Sequence, residues 1–186
     1  LNGGPGAPAF LYTAPRHAAT AEPVLQGWLG HAAPFDFELS YRPAPGVARM
    51  RVGTPPVLQM AALEAALDVW DHVDMDDLRA RSIALSERFI AGIEAACPDL
   101  KLASPRDPAA RGSQVSFRFG DGYAAMQAAI ARGVVGDFRA PDIMRFGIAP
   151  LYLGETDIDR AVEILAEVME ARAYEDPAFR TRAAVT

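Results

Sequence analysis

The sequence predicts an α/β protein in which an irregular first part is followed by a regular α+β domain. Residues 14–56 show little periodicity, whereas apolar residues recur at helical spacing from Val57 and again from Met75. After residue 100, short apolar runs alternate with further helical patterns. The chain has 186 residues, of which 51% are apolar, so it can form a core. We expect two parts, residues 1–72 and 73–186.

In the first part, the apolar and aromatic run at residues 9–13 is bounded by prolines and predicts a buried strand. Residues 14–56 are rich in proline and glycine, and a long irregular stretch of this kind is typical of a functional site or an interface. A helix is expected to begin at Val57, with Thr54 as its capping residue ahead of two prolines.

The second part predicts a connecting helix and a ββαββα domain. The connecting helix runs from Met75 to about Ala96 and ends at Cys97-Pro98. The expected strands and helices that follow are strands at 100–103, 114–119, 134–139 and 143–148, a helix at 123–132 closed by Gly133, and a helix at 156–172 capped by Thr156 or Asp157.

Charge and composition exclude several classes of partner. The formal net charge is −6 and no run of Lys or Arg occurs, which disfavours nucleic acid and anionic membranes. The single cysteine, Cys97, gives no disulfide framework. Neither a long apolar span nor a signal-like leader is visible, so we expect a cytoplasmic protein with no membrane contact.

The chain carries no familiar catalytic motif. Its three histidines, His17, His31 and His72, lack metal-ligand spacing, and structural roles are the simpler interpretation for them. We therefore expect no metal site. Serine-hydrolase, phosphate-binding-loop and zinc-protease motifs are also missing from the sequence.

Four polar residues in apolar or glycine-rich surroundings are the candidates for function: Asn2, Trp28, Thr54 and Arg145. Trp28 lies between Gly27 and Gly30, which suggests close backbone approach, although a lone tryptophan is commonly a core or interface residue. Thr54 can cap a helix, donate its hydroxyl to a phosphate, or do both.

Arg145 stands at the centre of an apolar strand pattern, Ile-Met-Arg-Phe-Gly. A guanidinium in such a place needs a partner, and its planar fork suits a substrate carboxylate. A structural ion pair with a neighbouring Asp or Glu explains the residue equally well. Arg139 is interpreted as a loop or edge arginine.

Together these blocks resemble the kynureninases. The similar segments are Leu-Asn-Gly-Gly-Pro-Gly-Ala-Pro at residues 1–8, Leu-Gln-Gly-Trp-Leu-Gly-His at 25–31, Val-Gly-Thr-Pro-Pro at 52–56, Ser-Pro-Arg-Asp at 104–107, Arg-Gly-Ser-Gln-Val-Ser at 111–116, Val-Gly-Asp-Phe-Arg-Ala-Pro-Asp at 135–142 and Arg-Phe-Gly at 145–147. They occur in the family's order across nearly the whole chain.

The resemblance implies a pyridoxal 5'-phosphate enzyme of fold type I. In that family the opening block follows a Lys-Tyr pair, and this lysine forms the Schiff base with the cofactor. The resemblance therefore implies a Schiff-base lysine just upstream of Leu1. It implies no catalytic residue within this chain. Residues 1–72 would be the end of the large cofactor-binding domain, and residues 73–186 the connecting helix and small C-terminal domain. The only lysine here, Lys101, is expected at the surface.

Residue by residue, the resemblance places Trp28 and Thr54 at cofactor-binding positions that reach across a homodimer interface to the neighbouring subunit. Arg145 matches the arginine for the substrate α-carboxylate. The implied activity is hydrolysis of L-kynurenine, and possibly 3-hydroxykynurenine, to anthranilate and L-alanine in tryptophan breakdown. The implied partners are a second copy and the remaining N-terminal half of the same protein.

Two alternatives remain open. A related cysteine desulfurase or selenocysteine lyase shares the fold and cofactor but needs a cysteine on a mobile loop, and Cys97 beside Pro98 is badly placed for that role. The chain could also be a catalytically inactive dimerisation module that lacks the lysine half. The sequence upstream of Leu1 distinguishes the module from the enzyme.

Overall fold

A computed structural model describes residues 6–181, and these residues form two compact units. The first ends at Val73 and the second begins at Asp74. Within residues 6–181, no helix is long and apolar enough to cross a membrane.

The first unit consists mostly of loops. Its helices are α1 (Pro15–Ala18) and α2 (Val57–Leu67), and its short 3₁₀ turns are Trp28–Gly30, Gly46–Met50 and Asp68–His72. The irregular character predicted for residues 14–56 is confirmed. An isolated antiparallel bridge joins His31 to Pro43.

Two expectations for this unit are wrong. Residues 9–13 form no strand, and Phe10 and Tyr12 are each 80% exposed. The helix does begin at Val57, but its N-cap is Pro56 and no side chain caps it. Thr54 lies too far ahead of the first helical residue, because Pro55 and Pro56 separate them and neither proline has an N–H to offer.

The second unit is built on a four-stranded antiparallel sheet. Its strands are β1 (Lys101–Leu102), β2 (Gln114–Arg118), β3 (Asp137–Arg139) and β4 (Ile143–Gly147), in the spatial order β1-β2-β4-β3. Its helices are α3 (Met75–Ala96), α4 (Gly122–Ile130), α5 (Glu155–Glu170) and α6 (Pro177–Arg180), with 3₁₀ turns at Pro108–Ala110 and Ala173–Glu175. The predicted α+β class and the ββαββα order are both confirmed.

The core of the second unit lies between the sheet and its helices. Phe117 from β2 and Phe146 from β4 meet Phe89 of α3 edge to face, with ring centroids 5.9 and 5.2 Å from Phe89. Phe117 is fully buried, as is Leu165 on α5. The amphipathic faces predicted for the long helices therefore form one continuous core.

The helix ends follow ordinary capping rules with one correction. Asp74 accepts hydrogen bonds from the backbone N–H groups of Asp76 and Asp77 at the start of α3. Helix α5 has Gly154 as its N-cap, not Thr156 or Asp157 as expected. Asp157 instead accepts from the Gly154 N–H at 2.7 Å, which satisfies the same helix end from the third helical position.

A buried arginine fixes the loop before β2 to α3. Arg111, with its side chain 2% exposed, donates to the Glu87 carboxylate and to the backbone carbonyls of Pro105 and Arg106. Such a charge is tolerated in a protein interior because it is paired and hydrogen-bonded. The loop therefore enters β2 in a defined position.

Candidate functional site

Two of the sequence blocks pack directly on each other in the first unit. A Cβ atom added to Gly27 would overlap the backbone carbonyl of Val52, so only glycine permits this approach. A Cβ at Gly53 would lie 3.7 Å from the indole Nε1 of Trp28. The structure therefore brings Trp28 next to the segment that carries Thr54.

Trp28 is not a core residue. Its side chain is 48% exposed, and its ring meets Phe35 edge to face with centroids 5.7 Å apart. Within residues 6–181 its indole N–H forms no hydrogen bond, and its ring lines a cavity of about 520 Å³ together with other residues of the segment 26–41. An indole N–H is a donor only, so this group is available to an external acceptor.

Thr54 is exposed and makes no capping bond to α2. Its hydroxyl therefore makes no bond to the helix that it was expected to cap, and its role as a phosphate donor stays a prediction. The exposed N-terminus of α2 follows three residues later. The first N–H groups of a helix carry partial positive charge and favour an anion.

Hydrogen bonds to backbone carbonyls hold the loops around Trp28. Tyr41 donates its hydroxyl to the Gly30 carbonyl at 2.9 Å, and Arg49 donates to the carbonyls of Ala44 and Ala21 at 3.0 and 3.2 Å. His31 accepts from the Ala33 N–H through Nδ1 at 3.0 Å, and its Nε2 lies 3.2 Å from the Ser40 carbonyl. His31 thus has the structural role expected for it.

Arg145 lies in the second unit, at the middle of β4. Its neighbours Met144 and Phe146 are buried in the core, so the alternation of a strand turns Arg145 to the opposite face of the sheet. Its side chain is 28% exposed. Asp137 on β3 is its direct cross-strand partner.

The two side chains form a bidentate ion pair. Arg145 Nε donates to Asp137 Oδ1 and Arg145 NH2 to Oδ2, both at 2.5 Å. These hydrogen bonds lower the pKa of the Asp137 carboxyl and raise the pKa of the Arg145 guanidinium. The ion pair that the sequence allowed is therefore present, and it occupies one edge of the guanidinium.

Arg139 is an edge residue of the sheet, as expected. It ends β3, the outermost strand, and its side chain is 61% exposed. Its NH2 lies 3.7 Å from Asp137 Oδ2. Sequence reasoning missed Asp137 itself, because several acids lie near Arg145 in the sequence and only the β3–β4 register identifies the partner.

The structure places two further residues that the sequence singled out, Lys101 and Cys97, whereas the prediction for Asn2 is not tested. Asn2 lies outside the described residues. Lys101 is exposed and donates to the Pro98 carbonyl at 2.6 Å. Cys97 is buried, and desolvation raises the pKa of its thiol to about 11. Residues 6–181 also contain no group of three or more His, Cys, Asp or Glu side chains that could hold a metal ion.

The fold is shared with a pyridoxal-phosphate protein. A structure of the cystine C-S lyase C-DES, with glycine covalently linked to its PLP cofactor, matches 84% of this chain and 40% of its own. The TM-score is 0.69 and the sequence identity 23%. At that identity the likeness shows the fold alone.

Sequence relatives are much closer. The kynureninase of Burkholderia mallei (strain SAVP1) is 47% identical over 188 residues, which cover 100% of this chain and 45% of the relative. The kynureninase of Deinococcus radiodurans is 52% identical over 172 residues, covering 91% of this chain and 42% of the relative. The chain thus spans less than half the length of these relatives.

A family model for the kynureninase C-terminal domain matches residues 78–165, which begin in α3 and end in α5. This segment contains the whole four-stranded sheet and therefore both Asp137 and Arg145. Residues 78–165 therefore belong to the kynureninase C-terminal domain family, and the chain is similar to the C-terminal part of kynureninases along 91–100% of its length.

Proposed function

We propose that the protein containing this chain is a kynureninase that hydrolyses L-kynurenine to anthranilate and L-alanine. The observation that carries the proposal is the 47–52% identity to kynureninases over 91–100% of the chain. The activity belongs to the whole protein, because the relatives are more than twice as long as this chain. We also propose tryptophan breakdown as its pathway, which the similarity to kynureninases supports, and the cytoplasm as its compartment, which the free, buried thiol of Cys97 supports.

Pyridoxal 5'-phosphate is the proposed cofactor, and the residues of the first unit fit its phosphate group. The indole N–H of Trp28 and the hydroxyl of Thr54 lie on adjoining segments, both are exposed, and both can donate to phosphate oxygens. When bound, the cofactor withdraws electrons from the amino acid carbons next to the scissile bond. Trp28 and Thr54 would bind and orient it.

Arg145 is proposed to bind the α-carboxylate of the substrate. Its guanidinium has five N–H donors and the ion pair with Asp137 uses two of them. The remaining edge can form a second bidentate interaction, so the structural and functional roles are compatible. By fixing the carboxylate, Arg145 would orient the amino acid for bond cleavage.

The lysine that forms the Schiff base is proposed to lie upstream of Leu1. Lys101 is a poor candidate because a Schiff-base lysine needs a cofactor pocket that lowers its pKa. The Lys101 ammonium is instead exposed at the start of β1 and bound to a carbonyl of its own loop.

We propose a homodimer in which Trp28 and Thr54 serve the cofactor of the neighbouring subunit. The support is the large amount of exposed apolar surface in the first unit, where Val57 and Leu58 of α2 are 67% and 84% exposed. Exposed apolar side chains of this kind favour contact with another protein surface, which a second copy and the remaining half of the same protein can both supply.

A cysteine desulfurase or selenocysteine lyase is disfavoured by Cys97. A thiol whose pKa is about 11 is almost entirely protonated at neutral pH, and burial removes it from any acceptor role. The chain has no other cysteine to offer.

The test is substitution of Arg145 in the full-length enzyme. Arg145→Ala should raise KM for L-kynurenine about 100-fold, since a bidentate charge-assisted interaction is lost, while the cofactor absorbance stays as in the unsubstituted enzyme. Arg88→Ala is the matched control, because Arg88 forms a similar bidentate pair with Asp159 between α3 and α5. An unchanged KM in Arg145→Ala would exclude the assignment.

A further inference from the structure

Asp137 is placed by the sheet where it can control the orientation of Arg145. The β3–β4 register sets Asp137 directly opposite Arg145, on the sheet face that points away from the buried Met144 and Phe146. A direct cross-strand pair has its Cβ atoms only about 5 Å apart, so the two side chains meet with little freedom. The sheet itself is fixed by the core on its other face.

The contact uses one edge of the guanidinium and leaves the other open. Nε and NH2 of Arg145 donate to Asp137, whereas NH1 has no hydrogen-bond partner within residues 6–181. Because a guanidinium is planar, fixing one edge also fixes the plane and direction of the other. The open NH1–NH2 edge has the donors for one more carboxylate.

A second bidentate pair in the same unit belongs to an arginine, Arg88, whose three side-chain nitrogens all have carboxylate partners. Arg88 donates to Asp159 through Nε at 2.6 Å and NH2 at 2.7 Å, and its NH1 lies 3.2 Å from Glu155. Every nitrogen of Arg88 therefore has a carboxylate partner. Arg145 resembles Arg88 at one edge but lacks the second acid.

The local charge also leaves room for an anion. Asp137 neutralises Arg145, but the Arg139 guanidinium lies 3.7 Å from the same carboxylate. Two arginines and one aspartate give a net charge of +1. A single carboxylate added at the open edge of Arg145 would bring the cluster to neutrality, which favours its binding over that of a neutral group.

We propose that Asp137 is a positioning residue for substrate binding: it holds Arg145 in the orientation in which the NH1–NH2 edge receives the substrate α-carboxylate. This inference rests on the proposed function, in which Arg145 binds that carboxylate. Asp137 does not touch the substrate, and it acts only through Arg145.

The experiment uses the full-length enzyme and the variant Asp137→Asn. The amide keeps the size of the side chain but offers only one acceptor oxygen and no charge, so Arg145 loses its fixed edge. KM for L-kynurenine should rise about tenfold with kcat within about twofold of the unsubstituted enzyme. Asp137→Glu, which keeps the carboxylate, should recover part of the loss. Asp159→Asn, the matched control, should leave KM unchanged.

Two further measurements separate positioning from a merely structural role. The amine that remains when kynurenine loses its carboxylate serves as a competitive inhibitor, and its Ki should not change in Asp137→Asn, because no carboxylate contact is involved. In the double variant Asp137→Asn/Arg145→Ala, the Asp137 substitution should add no further increase in KM to that of Arg145→Ala alone.

The outcomes decide between the two proposals. If Arg145→Ala raises KM but Asp137→Asn does not, or if the Asp137 effect persists without Arg145, the positioning role is overturned while the substrate assignment of Arg145 stands. An equal rise of the amine's Ki and of KM also overturns it, since the change would then reflect a general distortion. If Arg145→Ala leaves KM unchanged, the proposed function itself is at fault.

Discussion

The two units of this chain differ in how they are stabilised. The second has a continuous core in which large side chains such as Phe117, Met126 and Leu165 are fully buried. In the described part of the first unit, Ala44 is the only buried apolar side chain, and aromatic residues such as Phe37 and Tyr12 are more than three-quarters exposed. The second unit buries its apolar residues within itself, whereas the first unit leaves most of its apolar residues exposed.

The difference also separates two kinds of site. Arg145 is fixed by a sheet whose other face is a packed core, so its position depends on residues of its own unit. Trp28 and Thr54 depend on loops held by hydrogen bonds such as that from Tyr41 to Gly30. A site of the second kind needs external contacts for its precision, which agrees with the proposed role of these two residues at an interface.

The largest effect is expected when the two units are separated. A fragment of residues 74–181 should fold alone and unfold cooperatively in urea, because its core is complete within those residues. A fragment of residues 6–73 should show no cooperative transition, because burial of a few small residues cannot offset the loss of chain entropy. Far-ultraviolet circular dichroism during urea titration measures both.

Cooperative unfolding of the 6–73 fragment would contradict this comparison directly. A 74–181 fragment without a transition would mean that its core needs support from outside the unit. Gel filtration of each fragment serves as the control, since self-association of the exposed apolar surface could mimic folding.

A smaller effect distinguishes matched phenylalanines in the two units. Phe117→Ala should lower the free energy of unfolding by about 3–5 kcal/mol, because Phe117 is fully buried and touches two other core rings. Phe37→Ala should change it by less than about 0.5 kcal/mol, because that ring is 86% exposed. Both values come from urea unfolding of the whole chain, taken from the cooperative transition of the second unit in far-ultraviolet circular dichroism.

The second unit could be predicted from the sequence because its patterns report contacts that the unit itself supplies. The spacing of Leu85, Phe89 and Ile93 predicts α3, and the structure buries these residues against the sheet. Gly133 was correctly identified as the residue that closes α4, since the chain there adopts a φ of +95°. The helical spacing of apolar residues predicts the structure of this unit correctly because the core that buries those residues lies within the unit itself.

The first unit was predicted less well for a physical reason. The apolar run at residues 9–13 has the composition of a strand, but a strand needs a hydrogen-bonded neighbour, and composition does not say whether one exists. Thr54 has the chemistry of a capping residue, yet two prolines move the helix start beyond its reach. In both cases the residue types suit the predicted role. The described residues supply no neighbouring strand for the run at 9–13, and no helix N–H group within reach of Thr54.

The site shows the same division. Arg145 was identified from its anomalous place in an apolar strand, and its need for a partner followed from its charge. The identity of that partner required the β3–β4 register, since the sequence offers several acids at comparable distances from Arg145. Likewise, the approach of Gly27 to Val52 depends on loop geometry that no periodic pattern encodes.

The smallest expected effect is on the acid stability of the second unit. Hydrogen bonds from Arg145 and Arg88 lower the pKa values of Asp137 and Asp159. A carboxyl whose pKa is lowered by folding contributes stability that is complete above its unfolded pKa of about 4 and is lost as the pH falls through the folded value. The 74–181 fragment should therefore lose stability below about pH 4. Because both acids are about half exposed, the loss should be small.

The double variant Asp137→Asn/Asp159→Asn tests this directly. Its urea midpoint should lie below that of the unsubstituted fragment at pH 7. The two midpoints should converge as the pH is lowered from 5 to 3, because protonation of Asp137 and Asp159 weakens the same ion pairs that the substitutions have already removed. Parallel curves over that range would show that the acid sensitivity of the unit arises from other carboxyls.

Glu38→Gln in the whole chain gives the comparison with the first unit, since hydrogen bonding to Arg42 lowers the pKa of Glu38 on a loop with no core behind it. That substitution should leave the midpoint of the second unit unchanged at every pH, because an ion pair can stabilise only the structure that unfolds with it.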